Sequence, residues 1–227
     1  MVIAIDGPAG SGKSTIARLV AARLGFTYLD TGAMYRAVTL AAFEQGIDPA
    51  DGDTLGRLAS TLEVRLEPTS APTGQSQCRV FLDGRDVSAE IRTAPVTTGV
   101  SQVSAHPQVR EAMTTLQRSL AVGQDAVLEG RDIGTVVFPD AQVKVFLTAS
   151  TMERARRRRQ QLVQQGISVA AEVVQRDIER RDDLDSSRAT APLRKAEDAY
   201  EMDTTRLSIE QVVEAVCALV RNSDVRC

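Results

Sequence analysis

Near the start of the chain, Gly7-Pro8-Ala9-Gly10-Ser11-Gly12-Lys13-Ser14-Thr15 separates a short apolar run, Val2-Ile3-Ala4-Ile5, from a helical pattern. Gly7, Gly12, Lys13 and Ser14 satisfy G-x-x-x-x-G-K-[ST], a pattern that few folds accommodate. Glycines let the backbone bend until successive N–H groups face one point, and a helix starting there aims its positive dipole end at the same point. Such a loop cradles the phosphates of a nucleoside triphosphate, with Lys13 reaching the β- and γ-phosphates and Ser14 available to Mg²⁺. The apolar run, stopped by Asp6, reads as a buried parallel strand. Ile16, Leu19, Val20, Ala22 and Leu24 recur at helical spacing up to Gly25, a C-cap residue. This strand–loop–helix setting distinguishes a phosphate-binding loop from a glycine turn.

Further β-like runs lie at Thr27–Leu29, Ala126–Leu128, Val143–Leu147 and Ala199–Met202, with helical patterns between most of them. The alternation predicts an α/β chain with the P-loop NTPase fold, a five-stranded, mainly parallel sheet flanked by helices. Two regions break it. Between Glu63 and Arg92, Val64-Arg65-Leu66 and Arg79-Val80-Phe81-Leu82 alternate polar with apolar, which predicts a small antiparallel insertion with a mobile surface turn over Pro68–Gln77. From Glu153 to Gln165 a helical pattern carries Arg154, Arg156, Arg157, Arg158 and Arg159.

Composition narrows the partners. The 227 residues are 25% charged and 43% hydrophobic, which suits a globular chain with a sizeable core. A formal net charge of −3 argues against general nucleic-acid binding, so any anion site must be local. Cys78, Cys217 and Cys227 form no CxxC or Cys/His cluster, which predicts neither a zinc site nor a disulfide framework and fits a reducing compartment. The N-terminal apolar run is too short for a signal peptide or a membrane span, and a cytoplasmic location is expected. His106, the single histidine, precedes Pro107 and reads as a turn residue without a catalytic role.

A phosphate cradle does not choose among kinase, GTPase switch, motor and transporter subunit. No N-K-x-D segment specifies guanine, and a motor would need far more sequence. Leu29-Asp30-Thr31-Gly32-Ala33-Met34-Tyr35-Arg36, Glu90-Ile91-Arg92, Gly130-Arg131-Asp132-Ile133-Gly134-Thr135 and Arg180-Arg181-Asp182-Asp183-Leu184-Asp185-Ser186-Ser187-Arg188 together resemble the bacterial cytidylate kinases, over nearly the whole chain. Thr31 stands where some members have Ser, and Glu129 where others have Asp, so a hydroxyl and a carboxylate are retained. Glu129, following a strand, is a candidate to hold the water shell of a metal ion.

The resemblance implies phosphoryl transfer from ATP, with Mg²⁺, to CMP or dCMP in pyrimidine nucleotide metabolism. It implies that Tyr35, Arg36, Arg131 and Arg188 clamp the acceptor phosphate, that Thr31 lies beside them, and that Ser101, Arg110 and Asp132 read the cytosine edge. Arg181 would contact the base and Asp185 the sugar. The chemistry asks for such residues independently of any family. A monophosphate brings two negative charges to a triphosphate, and the arginine fork binds phosphate bidentately without losing its proton. Arg154, Arg157 and Arg158 share a helix face at i, i+3 and i+4, and with Lys13 and Arg131 they are the expected catalytic groups. The resemblance places them in a short lid over about 152–168. The core, 1–62 and 100–227, is expected to include this lid, and 63–99 to form an acceptor-binding insertion. Thr204-Thr205-Arg206-Leu207 is a plausible adenine region. The expected partners are ATP and CMP or dCMP, with no nucleic acid and no membrane, and the expected state is a monomer. Another small P-loop kinase, acting on UMP, AMP, shikimate or dephospho-coenzyme A, and a nucleotide-sensing regulator are the alternatives.

Overall fold

Ile3, Ala4 and Ile5 are fully buried, and the unbroken apolar run that contains them forms the central strand of the sheet. The structure, a computed structural model, describes residues 1–69, 77–164 and 166–224. In chain order the first half contains β1 (Val2–Asp6), α1 (Lys13–Leu24), β2 (Thr27–Asp30), α2 (Thr31–Glu44), α3 (Gly52–Thr61), β3 (Val64–Thr69), β4 (Gln77–Leu82) and β5 (Arg85–Asp86). The second half contains α4 (Ala94–Val103), α5 (Pro107–Ala121), β6 (Ala126–Gly130), β7 (Val143–Thr148), α6 (Thr151–Gln164), α7 (Ala171–Ser187), β8 (Tyr200–Asp203) and α8 (Ile209–Asp224). A 3-10 turn, Glu90–Arg92, precedes α4, and a π-helical turn, Ile133–Val137, follows β6.

All five expected core strands form, in the order β2-β6-β1-β7-β8, and every pairing is parallel. The expected C-cap at Gly25 is present in left-handed conformation, with φ 72°. The insertion is a three-stranded antiparallel sheet, one strand more than the alternation predicts. The extra strand, β5, has two residues and no readable pattern. Its signal was the Asp83-Gly84 pair, both at positive φ, which makes the tight turn of a hairpin. Residues 70–76 of the expected surface turn, Gln165 at the end of the arginine-rich helix pattern, and Cys227 lie outside the described residues.

The sheet is covered on both faces. Ile16 and Val20 of α1 pack with Val213 and Val216 of α8 on Ile3, Ile5 and Val145, while Leu29, Leu128, Ile133 and Val137 form a second cluster. A third core joins α2–α5 to β3 and β4 through Met34, Leu55, Val80, Ile91 and Met113. Each such fully buried side chain contributes about 1.5–3 kcal/mol. No described helix is long and apolar enough to cross a membrane. The C-terminal ends of the parallel strands β1, β2 and β6 lead into the loops that matter for ligands, as open α/β sheets require.

Candidate active site

β1 runs through Asp6 into Gly7, where only glycine fits: its φ is 149°, and a Cβ there would lie 2.1 Å from the Leu147 carbonyl oxygen. The loop ends at Gly12, φ 99°, and α1 begins at once, leaving the unpaired N–H groups of its first turn at the loop. Lys13 is buried, and its Nζ donates to the Pro8 carbonyl at 2.7 Å. Burial pulls its pKa down to about 7, with Arg131 acting in the same direction and Glu129 and Asp6 opposing. A phosphate entering the loop would favour the charged ammonium. Glu129, near the end of β6, accepts from the Tyr28 hydroxyl at 2.6 Å, and burial, reinforced by Asp30, raises its pKa.

Asp30 caps α2, accepting from the Ala33 N–H at 2.9 Å, so that Thr31, Tyr35 and Arg36 lie in the first two turns. The Thr31 hydroxyl donates to the Glu129 carbonyl at 2.7 Å. Arg36 donates to Thr97 Oγ1 at 2.8 Å and to the Ile91 carbonyl at 3.3 Å; burial, then Arg181, lowers its pKa to about 10. Pro107 opens α5, and Arg110 one turn later sits 5.2 Å from the centre of the Tyr35 ring. Burial pushes the Tyr35 hydroxyl up to about 12.

Buried charges of alternating sign continue from there. Arg110 Nη2 donates to Asp132 Oδ2, and Arg188 lies 3.7 Å from Asp132 Oδ1 and 3.8 Å from Asp185 Oδ1. Arg131 Nε closes the chain by donating to Asp185 Oδ2 at 2.7 Å. Burial works against the charge of Asp185, yet Arg131, followed by Arg188, holds its pKa below the usual value. Burial likewise works against Arg131, and Asp185 more than offsets it. Three guanidinium groups thus face two carboxylates, and Arg181 Nε and Arg188 Nη2 find no hydrogen-bond partner among the described residues. The set has donors to spare for an oxyanion. Cradle and charge chain border one cleft of about 1800 Å³.

A family model described as cytidylate kinase matches residues 3–222. The chain belongs to the cytidylate kinase family. The cytidylate kinase of Shouchella clausii (strain KSM-K16) is 52% identical over 219 residues, covering 96% of this chain and 95% of that protein. The cytidylate kinase of Carboxydothermus hydrogenoformans (strain ATCC BAA-161 / DSM 6008 / Z-2901) is 49% identical over 226 residues, covering 99% and 100%. An uncharacterized protein from Eubacterium ventriosum ATCC 27560, solved by crystallography, gives a TM-score of 0.52 over 97% of this chain and 98% of its own at 10% identity, a likeness of fold alone.

The residues expected of a cytidylate kinase acceptor site, Thr31, Tyr35, Arg36, Ser101, Arg110, Arg131, Asp132, Arg181, Asp185 and Arg188, all border the cleft. So do Lys13, Ser14 and the stretch Thr204–Leu207. The three arginines of α6 divide. Arg158 and Arg157 border the cleft, Arg157 donating to Thr204 Oγ1 at 3.0 Å and to the Thr204 carbonyl at 2.7 Å. Arg154, in contrast, is buried and does not border the cleft. Its guanidinium donates to the carbonyls of Ala149 and Ala9, each at 3.0 Å, to Thr151 Oγ1 at 3.1 Å and to Asp182 Oδ2. Asp182 in turn accepts from the Ala9 N–H at 3.2 Å. Common-face spacing showed that these arginines share a side of the helix, and had no means of showing that this side meets the phosphate loop at one end and the open cleft at the other.

Three further residues escaped the sequence reading. Asp182 stood inside a quoted motif without a role. Tyr28 looked like an ordinary strand aromatic. Asp6 looked only like the end of a strand, although its carboxylate accepts from the Ile133 N–H at 2.9 Å and the Gly134 N–H at 2.7 Å, capping the π-helical turn beside Asp132. No local pattern announces contacts between residues so far apart in the chain.

Proposed function

We propose that the chain transfers the γ-phosphoryl group of ATP to CMP or dCMP, giving ADP and CDP or dCDP. The observation that carries this reading is the buried chain Arg110–Asp132–Arg188–Asp185–Arg131, with one guanidinium in excess, in the same cleft as the phosphate cradle. A sensor of triphosphates has no use for such a second anion site. In this reading the loop N–H groups and Lys13 hold the donor phosphates, and Tyr35, Arg36, Arg131 and Arg188 hold the acceptor phosphate, with Thr31 alongside. Ser101, Arg110 and Asp132 read the cytosine edge, Arg181 contacts the base, and Asp185 bonds the sugar. Arg131 and Asp185 exchange their mutual bond for bonds to the acceptor. No general base is required, because the attacking phosphate is already an anion. Catalysis is then positioning and charge neutralisation.

The chain's residues fit Mg²⁺ as well as ATP. A hard cation takes oxygen ligands, and the exposed Ser14 hydroxyl lies beside the Glu129 carboxylate, whose pKa it helps to lower. Among the described residues no group of three acidic, His or Cys side chains could hold a metal by itself. Ser14, with Glu129 beside it, would hold Mg²⁺, which would supply positive charge against the negative charge that develops in transfer. Arg158 is the α6 arginine we assign to the transferred group, and Arg157 the one at the adenine side. Arg154 braces the loop. Segment 63–99 belongs to the acceptor side, where Cys78 and Arg92 reach the cleft wall. A cytoplasmic monomer completes the proposal: the free, buried thiols of Cys78 and Cys217 suit a reducing compartment, and light scattering would read a mass near 24.5 kDa.

A coupled ADP-release assay with CMP, dCMP, UMP, AMP, shikimate and dephospho-coenzyme A tests the reading. Rapid release with CMP or dCMP is expected. Equal or faster release with another acceptor, or none with any, would overturn it.

A further inference from the structure

Glu129 is 5% exposed, and a carboxylate at that depth is costly unless its oxygens are bonded. Its side chain has one methylene more than Asp and correspondingly more freedom. Two hydroxyl groups bear on the carboxylate itself. The Tyr28 hydroxyl donates to Oε1 at 2.6 Å, and the Ser14 hydroxyl lies close enough to favour the charged form. The backbone is pinned separately, by the Thr31 hydroxyl on the Glu129 carbonyl. β2 and β6 pair in parallel with Tyr28 against Val127 and Asp30 against Glu129, so Tyr28 and Glu129 point to the same face one step apart, and the long phenol spans that diagonal. Tyr28, Ser14 and Glu129 all border the cleft.

We propose that Tyr28 is a positioning residue for the metal side of the reaction: its hydroxyl fixes the Glu129 carboxylate beside Ser14, where the Mg²⁺ accompanying ATP is to be held. The inference rests on the reading of the cleft as a site for magnesium-bound nucleotide. A phenol that only satisfied the core would bond equally well to any nearby acceptor. Here it bonds to a carboxylate that interacts with both Lys13 and the Ser14 hydroxyl. Metal sites depend on such outer partners, whose loss typically weakens metal binding about 10–100-fold.

Thermal melting of the full chain with ADP, titrated with Mg²⁺, tests this without relying on turnover. In Tyr28→Phe the ring and its packing remain and one hydroxyl is lost. The Mg²⁺ concentration at half-effect should rise about tenfold. Stabilisation by ADP without metal should stay as in the unmodified protein. Glu129→Asp withdraws the carboxylate from Tyr28, so adding Tyr28→Phe to it should shift the magnesium midpoint no further. Equal shifts in both backgrounds would show that Tyr28 acts through packing and would overturn the proposal, as would an unchanged midpoint in Tyr28→Phe alone. Should the unmodified protein melt identically with ADP and with ADP plus Mg²⁺, the metal site would fall, and Tyr28's role with it; CMP-dependent ADP release would still stand or fall on its own assay.

Discussion

At the scale of single residues, the site is governed by which polar atoms already have partners. Asp132 is buried with Arg110, so its removal has two separable effects. On the proposed role of Asp132 at the cytosine amine, its loss should cut the preference for CMP over UMP about 10–100-fold, the range of one good base contact. Leaving Arg110 buried beside Arg188 without its carboxylate should destabilise Asp132→Ala by about 3–5 kcal/mol. Steady-state kinetics at a temperature where the variant is folded separates the two, and an unchanged CMP:UMP ratio would refute the base-reading role. The same logic distinguishes Arg154 from Arg158. Four bonds to protein leave the Arg154 guanidinium committed to the loop, so Arg154→Ala should lower the melting temperature by several degrees and raise the KM for ATP. Arg158 borders the cleft and bonds Gln161 at 2.7 Å, so Arg158→Ala should keep the melting temperature and lower kcat about a hundredfold. The opposite pattern would restore Arg154 to the transferred phosphate.

At the scale of elements, Asp6 joins the strand that feeds the phosphate loop to the π-helical turn that follows β6 beside Asp132. Burial is the main cause raising its carboxyl to about 6 from 3.8, and the two N–H donors hold it from rising further. Between those values the folded state keeps a proton that the unfolded state has released. This contribution to stability therefore grows as pH falls through 6 and is complete near 3.8, amounting to about 3 kcal/mol at most. Asp6→Asn should remove that part of the pH–stability profile, seen by subtracting urea-melt curves at pH 7 and pH 5. Its amide offers one acceptor to two N–H groups, so the KM for CMP should rise about tenfold while that for ATP changes little. Parallel profiles together with an unchanged CMP KM would dismiss the bridge. Elements were also what the sequence displayed best. The strands were legible because Val2–Ile5 and Val143–Leu147 are buried runs, and the cradle because Gly7 and Gly12 occupy conformations that other residues avoid. β5 was too short to read, and the bonds of Asp6 to Ile133, Tyr28 to Glu129 and Asp182 to Ala9 span 101 to 173 positions, which no window along the chain contains.

At the scale of the molecule, the cleft is larger than the ~300–1,000 Å³ of a typical small-ligand site, as two nucleotides require, and it must shed water before transfer. The part best suited to move is the α6–α7 pair. Its own core is small, Ala155, Val174 and Ile178 with Leu162 and Val169 against them, and Met152, Val163 and Val173 remain exposed. Local stability follows buried contacts, so the distal ends of this pair should open more readily than the sheet. Arg154 and Asp182 tie the proximal end to Ala9, so opening is expected to start at the distal end. Amide hydrogen exchange should therefore be fast beyond Arg159 and slow in β1 in the free protein. ADP with Mg²⁺ or CMP alone should protect α6 partly, and both together should protect it by more than the sum, since each ligand then shares the cost of ordering the same segment. Additive protection would mean that the two sites do not communicate through this pair, and exchange in α6 as slow as in β1 would mean that it does not open.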